Sequence, residues 1–459
     1  MTNKFEMMES GSVKKALAWL AAPAIVSLTI QTLYGFVDTV FVGRGLGDDG
    51  VLGLGALTIA FPIMYLIVAA ASGVGVGGSS YISRGFGAKD QERVKKGIGN
   101  MIILGILVSL IFTIAGFFLL EPSLRLFGAT DTILPFAKDY MYWILIGCVF
   151  QVLTITLTAI VMAEGNSMYI MGMYAVSSVT NIVLDYVFIF IFDWGIAGAA
   201  IATVIAQMIN FIFLIFYMYR VSSLKFSARW LVFNPRVSWD IVKIGASEFV
   251  REGSLTLMFI IVNRNLVLYG GDVSIAIFGL INRIFGVVII PVIGIVQGMI
   301  PLTGYNYGAK NYTRVREIFK TAAIWAVVSS LILGVISYAF TAEIFGIFTT
   351  DLPLIEEAVV AYWLADLSIP IVAFAIIGSA FLQALGKAKE SFLLTIARQL
   401  FILPVLTVIP IFWGLTGVWI SFPIVDVMTG VLTILFILRQ LKVLKKEEQK
   451  YAVKKAAAV

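Results

Sequence analysis

The sequence contains no histidine, and Cys148 is its one cysteine. A single thiol cannot close an internal disulfide, and metal sites of the Cys/His type are excluded. Serine, threonine and lysine nucleophiles exist, but no histidine can serve as their base, and no catalytic constellation emerges. No G-x-x-x-x-G-K-[S/T] stretch occurs: the one Gly-Lys pair, Gly386-Lys387, is followed by Ala388, which argues against ATP-driven chemistry by this chain. Charge is also scarce. Asp, Glu, Lys and Arg make up 13% of the residues, against about a quarter in soluble domains. A cleavable leader is not expected, because the segment 1–12 is polar and the apolar run after it is too long for a signal-peptide core.

What fills the space is apolar. Hydrophobic residues account for 60% of the 459, and the mean hydropathy is +0.98. No water-soluble core absorbs that much apolar surface, so lipid must be the solvent for most of the chain. At roughly 20 apolar residues per crossing, spans are expected near 16–43, 51–83, 97–120, 132–160, 168–191, 195–219, 239–268, 273–303, 318–341, 354–382, 391–412 and 414–438. The resulting fold class is an all-α polytopic membrane protein, with twelve transmembrane helices in two pseudo-symmetric six-helix bundles.

The basic residues give the orientation. If the N-terminus is cytoplasmic, 26 of the 33 lysines and arginines fall on the cytoplasmic side and three (Arg44, Arg125, Lys138) on the outer side. Arg251, Arg264, Arg283 and Arg398 lie within spans. That asymmetry satisfies the positive-inside rule and an even number of spans. It places both termini in the cytoplasm of a multi-pass plasma-membrane protein. The net charge of +6 then reflects topology and the anionic inner leaflet of the bilayer, with no nucleic acid as partner.

The chain also repeats itself. Gly87-Ala88-Lys89 with Arg93-Val94 after span 2 recurs as Gly308-Ala309-Lys310 with Arg314-Val315 after span 8, an offset of 221. Gly165 maps to Gly386 at the same offset, and Trp194-Gly195 maps to Trp413-Gly414 at 219. Two halves of six spans enter from one side, so an axis along the membrane normal should relate them, with the solute site between or within them. The expected organisation is a cytoplasmic N-terminus (1–15), an N-lobe (16–219), a cytoplasmic linker (220–238), a C-lobe (239–440) and a basic cytoplasmic tail (441–459) that frays.

Polar residues inside the spans are patterned. Span 1 carries Ser27, Gln31, Tyr34 and Asp38, and span 5 carries Tyr174, Ser178, Asn181 and Asp185. Both sets are spaced four, three, four, which puts each on one helical face. Span 6 adds Thr203, Gln207 and Asn210. Asp38, Asp185 and Thr203 all fall in the outer half of the N-lobe. For Ser27, Ser178 and Thr203 two readings stand: interhelical packing bonds, or the lining of a site. For the two acids a cavity or a partner is expected, since a carboxylate at membrane depth costs roughly 2.5–3.5 kcal/mol on insertion scales. Two nearby carboxylates in low dielectric cannot both ionise cheaply, which suits a proton carrier; with Asn181 and Thr203 oxygens the same pair can ligate sodium. Gln31, Tyr34, Ser178 and Gln207 are the candidates for lining a substrate cavity. Pro23 removes the helical donor from the carbonyl of residue 19 and lets span 1 bend, either as a static kink or as a switch.

Leu33 to Gly43 (LYGFVDTVFVG), the Arg84…Gly87-Ala88-Lys89 loop and Asn181…Asp185 together resemble the multidrug and toxic compound extrusion (MATE) family, in its prokaryotic DinF-type branch. The likeness covers about 14–440. It implies an antiporter that exports small amphipathic or cationic drugs or metabolites by alternating access, driven by entry of protons or sodium, with no cofactor beyond that ion and no enzymatic activity. It further implies that Pro23, Asp38, Tyr140, Asn181, Asp185 and Thr203 carry the coupling ion and its associated bend. In another branch, acids of spans 7 and 10 bind sodium, which points to Glu248 or Glu252 with Asp366. The alternative for these is internal ion pairing within the C-lobe. A lipid-linked oligosaccharide flippase of the same superfamily is the competing reading, and it calls for cationic groups along the cavity. A monomer is expected.

Overall fold

A computed structural model describes residues 2–46, 49–347 and 352–456; Met1, Gly47, Asp48, 348–351 and the last three residues of the expected tail lie outside them. Among the described residues there are helices and turns but no strands, as a chain in lipid requires, since only an intra-helical ladder satisfies every backbone group there. After a short N-terminal helix, Thr2–Glu9, span 1 is Val13–Gly45 and span 2 is Gly50–Gly87. Span 3 is Gln91–Leu126 and span 4 is Leu134–Ala163. Span 5 is Ser167–Tyr186 with a π-helical end, Val187–Ile191, and span 6 is Gly195–Phe216 with another, Tyr217–Val221.

In the second half the spans run together. The helix Pro235–Gly308 is interrupted at Gly271 (φ 70°), which divides it into span 7, 235–270, and span 8, 272–308. Span 9 is Tyr312–Ala339. Span 10 differs from the continuous helix expected at 354–382: it is two helices, Leu352–Ala365 and Ile369–Ala384, bent by 47° at Asp366–Ser368. Pro370, one residue into the second helix, lacks the N–H that would extend the first. The helix Ala388–Ala456 is interrupted at Gly414 (φ 55°), giving span 11, 388–413, and span 12, 415–456.

The tail is therefore helical to Ala456, not frayed. Its Leu, Lys, Glu and Ala residues are strong helix formers, and it has partners: Glu448 accepts from Arg316 at 2.5 Å and from Thr313, and Lys310 lies over the Tyr451 ring at 5.2 Å.

The repeat is visible in the backbone. Lys89 and Lys310 take φ of 57° and 60°, Gly165 and Gly386 both 74°, and Gly195 and Gly414 both 55°. Asp90 caps span 3 through the Arg93 N–H at 3.0 Å, and Asn311 caps span 9 through the Arg314 N–H at 3.3 Å. The contacts between halves obey the same offset. A Cβ on Gly87 would lie 1.7 Å from the Tyr305 carbonyl oxygen, and one on Gly308 would lie 2.1 Å from that of Arg84. Spans 2 and 8 therefore touch backbone to backbone through two glycines related by the two-fold. Spans 1 and 8 meet at Ala21 and Gly298, as spans 7 and 2 meet at Ile241 and Gly77.

These contacts lie toward the face that carries both termini, and an apolar cluster seals it. Leu17 and Leu20 of span 1 pack with Val292 and Met299 of span 8 and with Phe381 of span 10, all fully buried. The N-terminal helix straps the seam. Met8 is fully buried, and the Arg314 guanidinium donates to the carbonyls of Met8 (3.1 Å), Gly11 (2.5 Å) and Met7 (3.2 Å). Asn306 Nδ2 donates to Met8 O at 3.0 Å. A segment that leads into the N-lobe is thus held by the C-lobe.

Candidate functional site

Beyond that seal the lobes part around a cavity of about 500 Å³. Its N-lobe wall includes Ser27, Gln31 and Tyr34 of span 1, Tyr174 of span 5, and Gln207 and Asn210 of span 6. The face of span 1 read from spacing therefore looks into this cavity from Ser27 to Tyr34. Ser27 Oγ donates to the Pro23 carbonyl at 2.7 Å and Gln31 Nε2 to the Ser27 carbonyl at 3.2 Å, so both are back-bonded along their own helix. Pro23 itself is buried within an uninterrupted helix.

A second, smaller cavity of about 30 Å³ lies deeper in the N-lobe, lined by Ser178, Asn181 and Thr203 and sharing Tyr34, Tyr174, Gln207 and Asn210 with the large one. Around it the polar atoms are unusually short of partners. Asp185 is 0% exposed and neither of its carboxylate oxygens has a hydrogen-bond partner; the same holds for both side-chain polar atoms of Asn181 and for Asp38 Oδ1 and Ser178 Oγ. The charges of Asp38 and Asp185 act on each other, and both act on the hydroxyls of Tyr34 and buried Tyr140. Tyr34, Asn181, Ser178 and Thr203 thus line the small cavity, while Asp38, Asp185 and Tyr140 interact electrostatically with one another and with Tyr34 without being among its lining residues. A buried ionised carboxylate without a donor is costly. The arrangement favours uptake of a proton or a small cation.

The C-lobe acids separate into two groups. Glu248 and Glu252 line the large cavity, and Arg251 between them binds both: Nε to Glu248 Oε2 at 3.1 Å, Nη2 to Glu248 Oε1 at 2.6 Å and Nη2 to Glu252 Oε1 at 2.5 Å. Asp366 is not among the cavity-lining residues. It sits at the break in span 10 near Asp426, which takes a bond from Arg398 Nε at 3.0 Å and from Ser368 Oγ at 2.7 Å. Asp366 Oδ2 is buried without a partner. The pairing of Asp366 with Glu248 or Glu252 expected for a sodium site is not formed: internal ion pairing holds the first group, and the span 10 break holds Asp366 elsewhere.

Several residues that matter here carried little signal in the sequence. Gln151, Thr154 and Thr158 of span 4 and Gln297 and Gln383 of spans 8 and 10 line the large cavity. Single amides and hydroxyls in apolar helices read equally as packing groups. Glu164, 1% exposed, accepts from Tyr217 OH (2.8 Å), Ser222 Oγ (2.5 Å) and the Ser223 N–H (3.3 Å), tying the end of span 4 to the end of span 6. Its signal was a carboxylate directly after a long apolar run.

The family model for MatE matches residues 23–187 and 252–409, one stretch in each lobe. The chain belongs to the MatE family. The chain is 27% identical to the multidrug export protein MepA of Staphylococcus saprophyticus, over 96% of its own length and 97% of that protein's. Among solved structures it is similar to MATE in the bent conformation, with a TM-score of 0.90, 25% identity and 98% and 99% of the two chains covered. It is also similar to a multidrug resistance MATE family transporter of the MOP superfamily in an outward-facing conformation, with a TM-score of 0.90, 26% identity and 96% and 98% covered. As a MatE chain it is a multi-pass membrane protein of twelve spans in two lobes.

Proposed function

We propose that this MatE chain is a secondary multidrug antiporter: it exports small amphipathic or cationic compounds by alternating access, coupled to entry of protons or sodium at Asp38 and Asp185. The observation that carries the reading is the fully buried Asp185, whose two carboxylate oxygens are unbonded, with Asp38 Oδ1 and Asn181 unbonded as well; Asn181 lines a small cavity that shares four residues with the inter-lobe one. An ion bound there neutralises charge in low dielectric. Because Tyr34, Tyr174, Gln207 and Asn210 belong to both cavities, ion and solute compete through shared walls, which is the linkage an antiporter needs. Tyr140, Asn181 and Thr203 support the ion, and Pro23 supplies the place where span 1 bends. The positive-inside count puts the strapped, sealed face in the cytoplasm, so the conformation described is closed inward. One chain supplies both lobes and the whole cavity, so a monomer suffices.

The flippase reading has less support. Its cavity calls for cations, yet among the described residues Arg251 is the one basic lining residue, and two carboxylates hold it.

Dye efflux from membrane vesicles, energised separately by a pH gradient and a sodium gradient, tests the proposal. Export should follow one of the two gradients, and the responsive gradient names the ion. Export indifferent to both would overturn the coupling.

A further inference from the structure

Among the described residues that line the large cavity, three are charged, and all belong to one turn and a half of span 7: Glu248, Arg251 and Glu252. Their formal charges leave the cavity one negative charge over. The arrangement is unequal. Arg251 grips Glu248 with two nitrogens and Glu252 with one, and side-chain exposure is 30% for Arg251, 13% for Glu248 and 17% for Glu252. Glu248 is the anchored acid; Glu252 is the acid a competitor can take. A second feature points to an occupant. Asn210, 6% exposed, lines the same cavity and its Oδ1 has no hydrogen-bond partner. Tyr34 and Tyr174 of the N-lobe also line it, and the remaining lining is neutral.

We infer that Glu252 is the cation subsite for substrate and that Arg251 is a resident placeholder, a tethered cation that occupies Glu252 when the cavity is empty and yields to the cationic group of a substrate. With Arg251 retained on Glu248, one acid is left, so the cavity takes a singly charged, flat amphipathic cation, its ring system against the tyrosines and its charge at Glu252. This assigns the substrate's charge number, and it rests on the transport reading above. It also gives the span 7 acids a role other than binding the coupling ion.

Two dyes built on one phenanthridinium ring test the charge count: ethidium carries one positive charge and propidium two. Equilibrium binding by fluorescence to the purified full-length protein, without any gradient, isolates this inference from coupling. Arg251→Gln adds one net negative charge and is expected to raise the propidium-to-ethidium affinity ratio about tenfold. Glu252→Gln leaves a neutral Arg251–Glu248 pair and is expected to weaken ethidium about tenfold. Glu252→Gln removes a charge without stranding one, so it decides the matter alone should Arg251→Gln not fold. Ethidium binding within twofold of wild type in Glu252→Gln, or an unchanged dye ratio in folded Arg251→Gln, overturns the inference. Wild-type vesicles that fail to export under either gradient would instead count against the antiporter reading.

Discussion

Asp185 and Glu164 show how differently one fold treats two buried carboxylates. Glu164 accepts three hydrogen bonds from span 6 and the residues after it, whereas Asp185 accepts none. The first is a fastening and the second an unmet demand. Glu164→Ala should strand the Tyr217 and Ser222 hydroxyls, at a cost of roughly 2–4 kcal/mol, seen as a lower thermal midpoint in detergent. The affinity ratio for different dyes should stay put, because Glu164 lies outside the cavity lining; a changed ratio with unchanged stability would contradict the assignment. The two acids were not equally legible. Asp38 and Asp185 end stripes with matching spacing, so periodicity exposed them. Glu164 has no stripe behind it, and its role depends on where span 6 happens to end.

Among elements, the glycines explain how helices from different lobes come so close. Gly87 and Gly308 meet the carbonyls of Tyr305 and Arg84, and neither site has room for a methyl group. Gly87→Ala should push the two loops apart and loosen the sealed face. Cysteine pairs engineered across that seam should cross-link more slowly, by about tenfold for a shift of roughly 1.4 kcal/mol in the gate equilibrium; an unchanged rate would count against a tight closure. The tail is a milder case. Glu448→Ala removes a partly exposed ion pair with Arg316 (31% and 32% exposed) and should cost less than about 1 kcal/mol, with export intact. The repeated Gly-Ala-Lys loop makes the two-fold legible in the order of residues alone, because positive φ at Lys89 and Lys310 and close approach at the glycines are backbone demands that residue type records. The break in span 10 is not legible in that way: Asp366, Leu367 and Ser368 interrupt an apolar run too briefly to distinguish a bend from one polar turn. The helical tail departs from expectation because lysine content describes solvation, while its bonds to Thr313, Arg316 and Lys310 come from tertiary contact.

At the scale of the molecule, alternating access requires the strapped face to open. Arg314 and Asn306 must then release the carbonyls of Met7, Met8 and Gly11. Arg314→Ala should shift the population away from the sealed state, read as faster labelling of a cysteine placed at Met8; unchanged labelling would mean the strap moves with one lobe and does not gate. The twelve spans and the two lobes are legible in hydropathy and in the internal repeat. The division of labour between lobes is legible only in part, since which acids meet depends on helix rotation that spacing does not fix. The exchange of ion for solute is proposed to run through the acid pair of the first lobe. Its most direct measurement is the counter-ion flux accompanying dye export in proteoliposomes, with a pH-sensitive dye or sodium indicator trapped inside. Wild-type protein should move ions against dye, and folded Asp38→Asn and Asp185→Asn should each lower that flux at least about a hundredfold, consistent with the loss of several kcal/mol of ion binding. Either variant moving ions and dye together at the wild-type rate would contradict the account.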